Sequence, residues 1–291
     1  MAISFKGSMV IGPRISTISS YLLDTYSAEV GYSIRKISST ATNCIRVRRS
    51  SDNAEQDIGF NGNDLDTASL LSFVGANDGF VTTWYDQSGN SRDAINASAL
   101  RQPRIVNAGV LETKNSKPAI YFNDDALKYN GQIVPLATNP FSYFTVSSHE
   151  VVGDSRYGVI FKSKEIGFAS GGTYVQNLHD RRTLKRNFMV ATGTSYFADM
   201  SVQRDNSDYL LLSGFADSSN NMSSFDNGAT GGTNTYVGTY ESSVFMIGSD
   251  TLSSSFVRLL GHLGEIIILN TDESTNRTSI ETDINNYFTI F

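Results

Sequence analysis

The chain has 291 residues, which is enough for one large β-domain or two small domains. Lysine and arginine together number 23 against 29 aspartates and glutamates, so the formal net charge is −6. This acidic balance argues against a protein that binds the phosphate backbone of nucleic acids or an anionic membrane surface. No apolar stretch approaches the ~20 residues that a membrane-spanning helix needs, so membrane insertion is not expected.

The sequence contains a single cysteine, Cys44, so no disulfide can form within the chain. Without a cross-link or a signal-peptide pattern at its start, the protein is expected to be made in a reducing cytoplasm. Residues 1–20 mix glycine, proline and isolated apolar side chains without a clear period. They are interpreted either as an edge strand and loop that lead into the fold, or as an arm that docks on a neighbouring protein.

Short strands separated by turn residues fill most of the remaining chain. Their recurrence about every ten residues predicts an all-β fold, a two-sheet antiparallel β-sandwich. Residues 218–235 are rich in Ser, Asn, Gly and Thr and are predicted to form a surface loop with at most a brief strand inside it. The predicted strands cover residues 32–37, 44–48, 57–60, 80–85, 103–106, 117–122, 141–148, 157–164, 187–191, 196–203, 209–216, 243–248 and 260–270.

Three short helices complete the predicted elements. The first covers residues 18–26, and the second covers residues 67–74, with Asp66 as its cap and Gly75 as its end. The third is C-terminal and is predicted to be capped by Asp272 or Ser274. Its apolar residues recur at helical spacing and predict one face against the sheet, formed by Ile280, Ile284, Tyr287 and Phe288.

One stretch combines the strongest strand signal with the strongest turn signal. Residues 80–85 read Phe-Val-Thr-Thr-Trp-Tyr, all β-branched or aromatic, which predicts a central strand with apolar bulk on both faces. Residues 86–91 read Asp-Gln-Ser-Gly-Asn-Ser and predict a sharp turn, with positive φ at Gly89 and Asn90.

The run of residues 84–90, Trp-Tyr-Asp-Gln-Ser-Gly-Asn, resembles the strand-and-turn signature of concanavalin A-like (laminin-G-like) jelly-roll proteins common in bacteriophage genomes. Residues 46–60, 102–106 and 261–266 resemble the same group, so the resemblance extends from about residue 21 to the C-terminus. The run is also similar to part of the catalytic domain of the α-L-arabinofuranosidase B family.

This resemblance implies a jelly-roll domain over residues 21–291, preceded by an attachment segment over residues 1–20. It further implies a non-enzymatic virion protein, such as a capsid decoration, head fibre or tail appendage. The expected partners are other virion proteins, reached through the N-terminal segment, and host-surface or environmental polysaccharide. Exposed sheet edges also predict self-association into a homo-oligomer.

The end of the central strand offers two interpretations for four side chains. Trp84 and Tyr85 can stack on sugar rings, while Asp86 and Gln87 can hydrogen-bond sugar hydroxyls. Alternatively, Trp84 packs in the core and Asp86 fixes its own turn.

The arabinofuranosidase resemblance raises an enzymatic alternative, because glycoside hydrolysis usually needs two carboxylates that flank the scissile bond. Asp250 matches that family's general acid/base segment in position. The nearest counterpart of its nucleophile is Glu165, whose flanking residues do not match. With one carboxylate matched and the other doubtful, a catalytic pair is not expected.

No cofactor is expected, and the three histidines lack the spacing of metal ligands. The acidic turn at residues 123–125, Asn-Asp-Asp, is either a plain turn or a calcium site, since carboxylate and carbonyl oxygens suit that ion.

Overall fold

Strands dominate the computed structural model, which describes residues 21–133, 140–150, 157–164, 173–180, 185–192, 195–199, 209–252 and 258–291. The helices of these ranges are α1 (Leu22–Thr25), α2 (Thr67–Val74) and α3 (Arg277–Phe288), with a short 3-10 helix at Ala99–Arg101. The strands are β1 (Ala28–Ser33), β2 (Asn43–Arg49), β3 (Glu55–Asn61), β4 (Asp64–Leu65), β5 (Gly79–Trp84), β6 (Ala94–Ile95), β7 (Arg104–Asn107), β8 (Val110–Leu111), β9 (Thr113–Lys114), β10 (Lys117–Pro118), β11 (Ile120–Asn123), β12 (Leu127–Tyr129), β13 (Phe141–Ser147), β14 (Tyr157–Lys162), β15 (Thr173–Asp180), β16 (Lys185–Thr192), β17 (Ser195–Asp199), β18 (Leu210–Ala216), β19 (Asn221–Asp226), β20 (Ala229–Thr235), β21 (Phe245–Ile247) and β22 (Leu260–Leu269).

The strands pair antiparallel and divide into two layers at β5. The first layer runs β3-β2-β5-β7-β11-β22-β13-β18-β19-β20, with β1 beside the second half of β22. The second layer branches from the end of β5 and runs β6-β12-β21-β14-β15-β16-β17. The predicted two-sheet antiparallel sandwich is therefore confirmed, and β5 is central as expected.

Aromatic side chains fill the space between the layers. Tyr32 of β1 stacks on Phe245 of β21 with ring centroids 6.1 Å apart, and Tyr143 of β13 meets the edge of Phe161 of β14 at 5.2 Å. Each pair joins the two layers, and all four side chains are buried. Edge-to-face and offset ring pairs add stabilisation beyond the area that they bury.

The helices lie where the sequence predicts them, with different ends. Asp66 caps α2 by accepting a hydrogen bond from the backbone N–H of Ser69 (3.0 Å), and the helix ends at Gly75 as predicted. Helix α3 buries Ile280, Ile284 and Phe288. Its N-cap position is Asn276, without a side-chain capping bond, whereas Asp272 accepts from the N–H of Ser274 in the preceding turn. The predicted cap of α3 is therefore wrong.

Two predicted boundaries are wrong for identifiable reasons. The strand expected at residues 32–37 is β1, which ends at Ser33; beyond it the Gln87 side chain, and not a neighbouring strand, bonds the carbonyl of Arg35 and the N–H of Ile37. The loop expected at residues 218–235 is the hairpin β19–β20, whose turn has positive φ at Asn227 and Gly228. Asn-Gly is a favoured pair for such a two-residue turn.

Candidate functional site

The turn after β5 is built around the carboxylate of Asp86. Its Oδ1 accepts hydrogen bonds from the backbone N–H groups of Gly31 and Ser88, both at 2.9 Å. Its Oδ2 accepts from the Ser88 hydroxyl (2.7 Å) and from the Arg92 N–H (3.1 Å). The prediction that Asp86 fixes its own turn is confirmed, and the bond to Gly31 also ties the turn to β1.

Gln87 and Asn90 extend this attachment to the same neighbour. The Gln87 amide accepts from the Ile37 N–H (2.9 Å) and donates to the carbonyls of Ser33 and Arg35. The Asn90 amide donates to the carbonyls of Ala28 and Glu29, both at 3.0 Å. The side chains of Gln87 and Asn90 therefore hold the segment around β1 in place. They bond backbone groups that would otherwise pair with a neighbouring strand.

The structure corrects the glycan-contact interpretation for two of the four candidate residues. Trp84 has 0% of its surface exposed and packs 5.9 Å from the ring of Tyr32, so its ring faces cannot stack on a sugar. Gln87 is also buried, and its amide is engaged by backbone groups of residues 33–37. The alternative prediction, that Trp84 packs in the core, is confirmed.

Tyr85 and Asp86 keep a partly exposed surface beside the turn. Tyr85 donates from its hydroxyl to Asp57 Oδ1 (2.6 Å), and Arg46 holds the same carboxylate through two hydrogen bonds of 2.7 and 2.8 Å. Burial and the neighbouring Asp57 raise the pKa of Tyr85 to about 12, so its hydroxyl stays protonated at neutral pH. The ring is thus fixed in one orientation by a charged partner.

A shallow cavity of about 170 Å³ opens beside Tyr85 and the turn; we call it the turn pocket. One wall is the loop between β1 and β2, which was not among the candidates predicted from the sequence; its polar run over residues 39–43 was the available signal. An aromatic ring among hydroxyl, amide and carboxylate groups has the chemistry to contact both the C–H face and the hydroxyls of a sugar. The lining residues are Thr40, Ala41, Thr42, Asn43, Tyr85, Asp86, Gln87 and Gly89.

Asp250 lies in the second layer, three residues after β21, and has 0% of its surface exposed. Lys162, at the end of β14, is also buried; burial lowers the pKa of Lys162 to about 8, and the negative charge of Asp250 opposes that shift. Sequence reasoning missed this lysine, because nothing around Lys162 distinguishes it from a surface strand residue. Glu165, the other candidate carboxylate, lies outside the described residues, as do residues 1–20.

The remaining candidate groups have structural partners. Asp124 pairs with Arg101 and Arg258, and no group of three or more His, Cys, Asp or Glu side chains in the described ranges is arranged to hold a metal ion. The thiol of Cys44 is buried and donates to the carbonyl of Ser33 (3.2 Å), and burial raises its pKa well above the usual value. Among the helices of the described ranges, none is both long and apolar enough to cross a membrane.

No protein-family model matches the sequence, and a search of curated proteins finds no match. Solved structures do match: an arabinofuranosidase complexed with arabinofuranosyl-α-1,2-xylobiose (TM-score 0.64), and a GH54 α-L-arabinofuranosidase soaked with a cyclic sulfate inhibitor (0.62). A mutant of a GH54 α-L-arabinofuranosidase soaked with 4-nitrophenyl α-L-arabinofuranoside matches at 0.64. Each is 12% identical, and each alignment covers 88% of this chain and 62% of the other.

This chain therefore spans about three fifths of the length of these structures, with 12% identity to each. A likeness at such low identity shows a shared fold and leaves function to the site itself. The chain has the β-sandwich fold found in these carbohydrate-active proteins.

Proposed function

We propose that the protein is a non-enzymatic bacteriophage virion protein that displays a glycan-binding jelly-roll. It decorates the capsid or forms part of a head fibre or tail appendage, and residues 1–20 attach it to other virion proteins. The proposal is supported by the phage-type motifs spread over the chain and by the turn pocket, where Tyr85 presents its ring beside polar groups.

The observation that carries the non-enzymatic part is the complete burial of Asp250. This burial supports the proposal, because a general acid has to reach the glycosidic oxygen directly or through one water and therefore needs access to the bound sugar.

Glycan binding through the turn pocket is tested on an array of neutral and acidic bacterial polysaccharides. The full chain should bind at least one glycan, and Tyr85→Ala should lose that binding because it removes the ring and its tie to Asp57. Tyr26→Ala, which removes an aromatic ring that is not part of the turn pocket's lining, is the matched control and should bind as the natural chain does. Retained binding in Tyr85→Ala would remove the turn pocket from the proposal.

The virion role is tested separately by assembly. Particles produced with the full chain should carry it, whereas particles produced with a chain lacking residues 1–20 should not, as judged by electron microscopy and by blotting of purified particles. Equal incorporation of both chains, or incorporation of neither, would contradict attachment through this segment.

A glycosidase of arabinofuranosidase type, using Asp250 and Glu165, is the second candidate function. It is favoured by the alignment of 88% of this chain with structures of that activity. Its test is the release of nitrophenol from 4-nitrophenyl α-L-arabinofuranoside, repeated with Asp250→Asn.

A further inference from the structure

A row of directly opposed side chains crosses one face of the first layer, away from the turn pocket. Arg48 stands opposite Phe80, Phe80 opposite Arg104, Arg104 opposite Tyr121, and Tyr121 opposite His262. The Arg48 guanidinium lies 5.0 Å from the centroid of the Phe80 ring, and that of Arg104 lies 5.2 Å from the Tyr121 ring. Four neighbouring strands thus place arginines and aromatic rings alternately on one face, and His262 follows on the fifth; we call this set the arginine–aromatic row.

A cavity of about 170 Å³ lies against this row. Leu100, 90% exposed, is part of its lining, and Gln102, buried, is fixed there by donating to the carbonyl of Asn96 (2.8 Å). The cavity is below the ~300–1,000 Å³ of pockets for drug-sized ligands, so it has room for a single small ring. Its lining residues are Phe80, Ala99, Leu100, Gln102, Arg104, Tyr121, Asn123 and Asp125.

Arg48 lies next to this cavity and carries an uncompensated charge. It is not itself part of the lining but hydrogen-bonds two lining residues, Gln102 and Ala99. Its guanidinium donates to Gln102 Oε1 (2.7 Å), to Asn53 Oδ1 (2.9 Å) and to the carbonyl of Ala99 (3.4 Å), all of them neutral acceptors. Within the part of the chain that the structure describes, Arg48 has no ion pair, whereas Arg104 pairs with Glu112 at 2.7 Å. These three bonds use three of the five N–H groups of the guanidinium, and a carboxylate is the preferred partner for the rest.

The aromatic and polar groups that line the cavity favour a sugar over other ligands that carry a carboxylate. Phe80 and Tyr121 lie two strand spacings apart, about 10 Å, on either side of Arg104. Asn123 and Asp125 add hydrogen-bonding groups on the same lining, and the Asp125 carboxylate accepts from the N–H of Asn123 (2.7 Å). The partly exposed rings offer apolar surface to C–H groups, the amide and carboxyl groups can bond hydroxyls, and the guanidinium can pair with a carboxylate. Together these groups match a carboxylated sugar.

We propose that this cavity binds an acidic sugar residue, with Arg48 pairing with its carboxylate and with Phe80 and Tyr121 packing against its ring. The site extends the proposed glycan recognition to a second surface, but it does not depend on the turn pocket or on a virion role. Phe80 and Tyr85 are five residues apart on one extended segment, on the order of 17 Å, so one monosaccharide cannot reach both.

The test measures binding of the full chain to three probes by isothermal titration calorimetry at neutral pH. Trigalacturonate carries its carboxylates on uronate residues, and sialyllactose carries its carboxylate on a sialate residue. Comparing the two probes shows which kind of acidic sugar the site prefers. The methyl ester of trigalacturonate keeps the backbone and removes the charge. At least one acidic probe should bind, and for a uronate site the ester should bind about tenfold more weakly or worse, since a charged hydrogen bond is lost.

Variants locate the site. Arg48→Gln should lower the affinity for the acidic probe by at least about tenfold, and Tyr121→Ala should weaken it as well. Arg49→Gln is the matched control, because it removes the same charge from the next residue of β2, where the guanidinium pairs with Asp52 and stacks on Phe73. Its affinity should equal that of the natural chain.

Three results would overturn the proposal: no binding of either acidic probe, equal binding of charged and esterified trigalacturonate, or equal losses in Arg48→Gln and Arg49→Gln.

Should Arg48→Gln fail to fold, Arg48→Lys is the variant that tests the role of Arg48. Lysine keeps the positive charge but lacks the planar guanidinium that can bond a carboxylate through two N–H groups. The affinity of Arg48→Lys for the acidic probe should therefore fall several-fold, and an unchanged affinity would exclude Arg48 as the partner of the carboxylate. Tyr85→Ala should leave trigalacturonate binding intact, so failure of the turn pocket and failure of this site are distinguishable.

Discussion

At the scale of single residues, Asp86 shows how a motif that resembles a ligand site can instead be part of the framework. Its carboxylate receives four hydrogen bonds that close the turn and attach it to β1. An aspartate that satisfies backbone N–H groups lets the chain turn sharply at a buried strand end without leaving donors unpaired. This role requires the side chain to point inward, which leaves Tyr85 as the aromatic residue of the signature with a partly exposed ring.

We predict that Asp86→Asn lowers the free energy of unfolding by about 1–3 kcal/mol, because the introduced NH₂ group cannot accept hydrogen bonds and leaves donors unpaired. Urea denaturation followed by Trp84 fluorescence measures this change. Asp52→Asn is the control, since Asp52 sits in an exposed turn beside Arg49, and it should cost clearly less. Equal losses in both variants would show that Asp86 does not organise the turn.

The contribution of Asp125 to the stability of the fold depends on pH. Burial raises the pKa of its carboxyl to about 7, well above the value expected in the unfolded chain. A raised pKa means that the folded state binds the proton more tightly than the unfolded chain does. Protonation of Asp125 therefore stabilises the folded state fully below about pH 4, and this stabilisation is lost as the pH rises through about 7.

We therefore expect Asp125→Asn to stabilise the protein more at pH 8 than at pH 5, since the amide is neutral at both values while the carboxylate ionises. Thermal unfolding of both chains at the two pH values measures the effect. The control is Asp66→Asn, whose carboxylate has a pKa below its usual value and is ionised at both pH values. A stabilisation by Asp125→Asn that is equal at pH 5 and pH 8 would contradict the assignment.

The turn at residues 89–91 differs from the prediction at one residue. Positive φ is confirmed at Gly89 (86°), but its partner is Ser91 (57°) and not Asn90. Asn tolerates positive φ better than Ser, which is why the sequence favoured Asn90. Here the Asn90 amide is needed for the carbonyls of Ala28 and Glu29, and this long-range contact is not visible in the local sequence.

At the scale of elements, β22 joins the parts of the sandwich. It pairs with β1, β11 and β13, and its apolar run from Ile266 to Leu269 is buried, as its composition predicted. Glu265, which precedes this run, is also buried; it pairs with Arg35 (2.8 Å) and receives a hydrogen bond from Ser33 (2.6 Å). Arg35 also pairs with Asp283 of α3 (2.7 Å), so one cation joins the sheet to the C-terminal helix.

We predict that Arg35→Met destabilises the protein by about 3–5 kcal/mol, because it leaves Glu265 buried without its cation. The double variant Arg35→Met, Glu265→Leu should recover a large part of that loss, since both charges are removed together. Urea denaturation of the single and double variants forms a double-mutant cycle. Additive losses would show that the two side chains are not coupled in the native state.

Elements whose signal is local were predicted well, and those that depend on pairing were not. Helix α2 follows from Asp66, a short apolar run and Gly75, all adjacent in sequence. The hairpin β19–β20 was missed because β20 is mostly exposed and carries almost no apolar residues. Its strand state comes from pairing with β19, and the Asn227-Gly228 turn was the overlooked local signal.

At the scale of the whole molecule, strand spacing and turn chemistry were sufficient to predict a two-sheet sandwich, and the arabinofuranosidase structures share that fold over 88% of the chain. The order of strands within the layers could not be predicted, because pairs such as β1 with β22 join residues more than 230 positions apart. For the same reason the sequence indicated Tyr85 but not the loop that faces it across the turn pocket.

The central claim is that this sandwich displays glycan-binding surfaces and does not cleave the glycan. The most direct measurement is nitrophenol release from 4-nitrophenyl α-L-arabinofuranoside by the purified full chain, beside Asp250→Asn prepared in the same way. We expect no release above buffer for either protein. Steady turnover by the natural chain that disappears in Asp250→Asn would contradict it.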